Sequence, residues 1–77
     1  MEAIKNEIEK VTQRIGWEQD RLDLAVIRFK EYAAKADSYG IDTFVPGMVR
    51  EVSESRTRLE ALYEQKAMLE YLLKQNQ

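Results

Sequence analysis

Histidine and cysteine, two of the side chains that most often do chemistry, do not occur in this sequence. General acid–base work near neutral pH has no imidazole here, and there is no thiolate nucleophile or metal ligand. Carboxylates are plentiful. However, Glu31–Lys35, Glu54–Arg58, Arg56–Glu60 and Glu70–Lys74 all have the i,i+4 spacing of ion pairs on a helix surface. No glycine-rich loop is present to cradle a phosphate. These absences predict a protein that is not an enzyme and that uses neither cofactor nor metal.

One set of cations is spaced for a definite task. Arg14, Arg21, Arg28 and Lys35 recur every seven residues and draw a basic line along one flank of a helix. Guanidinium forks suit phosphate oxygens, so this line together with Arg58 is a candidate site for an anionic ligand such as phosphate or a nucleotide. The simpler reading is that each arginine stem covers apolar surface while its head stays in water. A third is that acidic residues of a neighbouring chain meet the line, as flanking charges do in coiled coils.

The element that carries this line is set by apolar spacing. Ile4, Ile8, Val11, Ile15, Glu18, Leu22, Ala25, Phe29, Tyr32 and Ala36 follow a 4-3 rhythm, as do Met48, Val52, Ser55, Leu59, Leu62, Lys66, Leu69 and Leu73. Such a rhythm specifies helices that pack on other helices. Between the stripes lie the only proline and two of the three glycines. The expected fold is all-α: a single domain over residues 1–77, an antiparallel two-helix hairpin of coiled-coil type. Its helices are predicted at 2–38 and 46–74, with a turn at 39–45. Gly40 is the expected left-handed stop of the first helix, and Pro46 the first residue of the second. Gly16, inside the first helix, suggests a kink or a close backbone approach.

A turn centred near Asp42 pairs residues whose numbers add to 84. The two charged breaks in the stripes, Glu18 and Lys66, then face each other and would fix the register. Phe29 falls opposite Ser55, Arg28 lies across from Arg58, and Ile4 overhangs the end of the hairpin. In the same register Trp17 lies level with Met68.

Apolar residues also occur away from the seam. Trp17, Leu24 and Ile27 on the first helix, and Met68, Tyr71 and Leu72 on the second, form an outer set. Helices apolar on more than one side are normally buried on more than one side. Together with Ile4 and Ile8 these residues are the expected oligomer interface of a four-helix-bundle dimer or a higher oligomer. A core from so short a chain supplies only about 3–5 kcal/mol, which also favours partners. The turn residues Tyr39, Ile41, Phe44 and Val45 are apolar for an exposed tip. They would either plug the bundle end or form a knob for a partner.

A formal net charge of −2 argues against general nucleic-acid binding. No apolar run reaches the ~20 residues needed to cross a membrane. The first residues, Met1 to Glu7, lack a basic region followed by an apolar stretch, so a cytoplasmic location is expected. The expected function is that of a non-catalytic protein-interaction module, a homo-oligomeric hairpin that binds or sequesters another protein. One alternative is an oligomeric binder of an anionic small ligand through the arginine line. A second is a structural subunit of a larger assembly.

Overall fold

The computed structural model describes the backbone of residues 2–35 and 38–76, and the side chains of residues 2–34 and 46–76. The chain forms two helices, α1 (Glu2–Lys35) and α2 (Ser38–Gln75). Helices of 34 and 38 residues rise about 51 and 57 Å at 1.5 Å per residue. The molecule measures 59 × 14 × 13 Å, so the helices lie side by side and antiparallel over nearly their whole length.

The residues withdrawn from solvent are those of the two 4-3 stripes. On α1 they run from Ile4 through Val11, Ile15, Glu18, Leu22 and Ala25 to Tyr32, joined by Gln19 and Val26 at the margin. On α2 they are Met48, Val52, Ser55, Leu59, Leu62, Lys66, Leu69 and Leu73. Val11, Ile15 and Leu59 form the centre of the core, with Leu22, Leu62 and Leu69 packed against them. Outside the seam, Thr12 and Thr57 turn their hydroxyls onto the carbonyls of Ile8 and Ser53 in the preceding turns. That local bonding lets a β-branched polar residue sit on an exposed helix face.

The connection lies elsewhere than the punctuation suggests. α1 ends at Lys35, not at Ser38, and α2 begins at Ser38 rather than Pro46. The segment expected as a turn, 39–45, is helical, and Pro46 sits inside α2. A proline in a helix interior removes one backbone hydrogen bond and crowds the preceding turn. That is a local cost, which the continuous pairing of two long helices can outweigh. The side chains of Lys35, Tyr39, Ile41, Phe44 and Val45 lie outside the described residues.

Moving the turn toward the N-terminus moves the register. Glu18 is joined to Ser55 and Arg58, 37 and 40 residues along the chain, and it does not meet Lys66. The displacement is about one heptad, and a heptad slip leaves every apolar residue on the seam. The same slip sets Trp17 beside Ala61 rather than Met68. Ile4 and Ile8 become half-buried, because α2 now reaches far enough to cover them.

Gly16 lies exposed within α1, and a Cβ added there would meet nothing within 4 Å. Within the single chain it serves no close approach. Gly16→Ala is therefore expected to stabilise the hairpin by about 0.5–1 kcal/mol, through the smaller entropy of the unfolded chain. Chemical denaturation of the two proteins side by side measures this. A loss of stability would show that the glycine is needed for packing against something outside the single chain.

Candidate interaction surface

The centre of the hairpin holds one polar layer. Glu18 projects from α1 into the seam with its side chain only 11% exposed. Its Oε1 accepts hydrogen bonds from Ser55 Oγ and from Arg58 Nε, both at 2.8 Å. Arg21, one turn on along α1, brings Nη1 to 3.8 Å from Glu18 Oε2. Ser55 is fully buried, and a small residue is needed there because the carboxylate occupies the space opposite. Burial works to raise the Glu18 pKa. The bonds from Ser55 and Arg58 and the charges of Arg58 and Arg21 outweigh it, holding the carboxyl below its ordinary value of 4.5.

Arg58 thus turns across the seam to Glu18 and forms no bridge to Glu54 on its own helix. Among the described residues the ion pairs within 4 Å are Lys10–Glu7, Arg21–Glu18 and Arg58–Glu18. The expected pairs Arg56–Glu60 and Glu70–Lys74 are not formed at that distance, as suits mobile side chains on solvated faces. Arg28 and Arg58 do not oppose each other either, since Arg58 is drawn ten residues down α1 to Glu18.

Two shallow grooves run where the helices meet, one on each flank. The first, about 380 Å³, is lined by Arg14, Trp17, Glu18 and Arg21 of α1 and by Arg58, Ala61, Leu62 and Gln65 of α2. The second, about 510 Å³, has Val26, Phe29 and Lys30 on one side and Val49, Val52, Ser53, Arg56, Thr57 and Glu60 on the other. Three members of the arginine set, Arg14, Arg21 and Arg58, are therefore brought together around Trp17, and Arg28 stands outside that groove.

The outer apolar set is exposed in the single chain. Trp17 is 63% and Met68 62% exposed, with Leu24, Ile27, Tyr71 and Leu72 also open to solvent. Val49 and Tyr63 belong with them but escaped the sequence reading. Each follows a seam residue, Met48 and Leu62, and the spacing of fourteen between them is the signal that would have exposed a second flank.

Among the described residues no helix is long and apolar enough to cross a membrane, and no group of three or more acidic side chains is placed to hold a metal ion. No family model, curated protein or solved structure matches this chain.

Proposed function

We propose that this protein is a non-catalytic interaction module, a helical hairpin that self-assembles into a four-helix bundle and binds a partner protein through its remaining apolar surface. The observation that carries this reading is the amount of surface left uncovered, with eight large apolar side chains exposed among the described residues. The accessible surface is 6004 Å², whereas a compact monomer of this mass exposes about 4900 Å². The radius of gyration is 17.5 Å, against about 11.5 Å for a compact domain of this length. The excess, roughly 1100 Å², exceeds the ~800 Å² that each partner contributes to an ordinary stable interface. Trp17, Tyr63 and Tyr71 are among the exposed side chains, and tryptophan and tyrosine are the residues that most often anchor interfaces.

An anionic small ligand is the weaker reading, because Glu18 already engages Arg21 and Arg58. Light scattering at about 50 µM, with melting followed over a concentration series, tests the proposal. A discrete oligomer whose melting temperature rises with concentration is expected. A folded monomer with a concentration-independent transition would refute self-assembly.

A further inference from the structure

The hairpin leaves two flanks open, and they differ in apolar content. A side chain one place before or after a seam residue points sideways from the hairpin, toward whatever lies on that flank. The residues one place before the seam include four large exposed apolar side chains, Trp17, Leu24, Met68 and Leu72. Those one place after it include two, Val49 and Tyr63. Ile27 and Tyr71 stand midway between seam residues and point away from both flanks. The Trp17 flank is thus the more apolar face, and it holds the residue type that most often anchors an interface.

Charge on this flank balances as a whole but is divided between the helices. Five cations meet five carboxylates, counting Glu18 in the groove floor. Lys10 is paired with Glu7, and Arg21 and Arg58 with Glu18. Left over on α1 are Arg14 and Arg28, with Glu31 at the end of the row; left over on α2 are Glu51 and Glu54. The α1 row is net positive and the α2 row net negative. A neutral face whose halves have opposite sign is complementary to itself when the halves are exchanged.

Two symmetric stackings of this flank on a second copy keep every helix antiparallel to its neighbours. A two-fold axis across the helices sets α1 on α1, which brings the arginines of one row against those of the other. A two-fold axis along the helices sets α1 on α2 and joins rows of opposite sign. This second stacking leaves no choice of register, because rotation about the long axis keeps each residue at its height. The contacts of Glu18 and Trp17 put residues whose numbers add to about 77 at one height. Arg28 then stands level with Glu51 of the partner subunit, and Arg21 with Glu54 of the partner subunit, each within about 3 Å along the axis. Trp17 stands level with Ala61 of the partner subunit, as it does with Ala61 of its own chain. One layer therefore alternates two tryptophans with two alanines, large against small.

We infer that the hairpin dimerises through its Trp17 flank about a two-fold axis parallel to the helices, each α1 lying on the α2 of the other copy. This rests on the self-assembly in the proposed function and names its face and its arrangement. The uncovered excess of roughly 1100 Å² is enough for one copy's share of a stable pair.

Spin labels on single cysteines at Asn6, Gln13 and Asp20 test the arrangement in the full chain. These exposed positions lie one heptad apart on the back of α1. All three are expected to give the same distance between subunits, since every point of α1 is equally far from an axis parallel to it. An axis across the helices would change the distance by about 20 Å per heptad. The face is tested by the dissociation constant. Ala61→Glu, at a position exposed in the single chain, should raise it at least about tenfold, whereas Tyr63→Glu on the other flank should leave it within about twofold. Arg28→Glu should weaken association and Arg28→Glu/Glu51→Arg should restore it.

Distances that vary along α1, an oligomer other than a dimer, or dissociation by Tyr63→Glu in place of Ala61→Glu would overturn the inference. In those cases the self-assembly reading stands. A folded monomer at every concentration removes both.

Discussion

Leu59→Ala is expected to unfold the isolated hairpin at micromolar concentration. Leu59 lies at the centre of the small core with Val11 and Ile15, and truncating a buried leucine costs about 2–5 kcal/mol. A chain of this size has only about 3–5 kcal/mol to lose. Four apolar side chains, Val11, Ile15, Ala25 and Leu59, are buried outright among the described residues, so no other cluster can hold the structure when this one fails. Leu24→Ala is the matched control. Leu24 is exposed in the single chain, and its truncation should change stability by no more than about 0.5 kcal/mol when nothing covers it. Helical circular dichroism against temperature, at low and high protein concentration, measures both. A Leu24→Ala loss that grows with concentration would show that assembly buries that flank. A Leu59→Ala protein as stable as the parent would contradict the packing of the seam.

The second large effect concerns the polar layer. Replacing Glu18 with Leu and Ser55 with Ala removes the cross-seam contacts of Glu18 with Ser55 and Arg58, which among the described residues tell this register from its heptad-shifted neighbour. Buried or half-buried polar pairs add little net stability, because desolvation offsets their attraction, and apolar replacement is often neutral or stabilising. They are most useful for specifying register. The double variant is therefore expected to melt no lower than the parent and to populate two registers. The absence of native cysteine allows spin labels on cysteines introduced at the exposed positions Gln13 and Glu64. One distance is expected in the parent background. The variant should show a second, from labels offset along the helix axes by the roughly 10 Å of a heptad. A single unchanged distance together with a lower melting temperature would show instead that the layer acts as ordinary packing.

The same carboxylate has a pH signature. Glu18→Gln keeps an acceptor for Ser55 but discards the charge that Arg58 and Arg21 attract. The native pKa of Glu18 lies below its ordinary value of 4.5. Its contribution to stability is then fully present above that value and is lost as pH falls through the lower, native one. Above pH 4.5 the parent should be more stable than Glu18→Gln, and the gap should close in acid. A gap independent of pH would mean that shape, not charge, sets the difference.

Much of the fold was legible because helical periodicity is a local property. Each seam residue, from Ile4 to Tyr32 and from Met48 to Leu73, could be named from spacing alone, since a stripe of apolar side chains on a 3.6-residue helix must face another surface. The turn was not legible. Gly40 and Pro46 are strong local signals, but they are weak penalties beside the pairing of two helices of more than thirty residues, and α2 already begins at Ser38. The register followed the turn. A 4-3 pattern is unchanged by a slip of seven, so spacing could not choose between Lys66 and Arg58 as the partner of Glu18.

The candidate surface divides in the same way. The basic line and the exposed tryptophan were visible as residue types, and the sequence placed Arg14, Arg21 and Trp17 on neighbouring rows of one helix. That Arg58 and Ala61 complete the groove beside them is a fact about two helices, fixed by where one begins. By itself the sequence determined two amphipathic helices and the residues that line their seam, because these depend on spacing within a segment. The tertiary structure decided the turn, the register and hence which charges surround Trp17, because those depend on contacts between residues about forty positions apart, for which a heptad repeat offers several equivalent solutions.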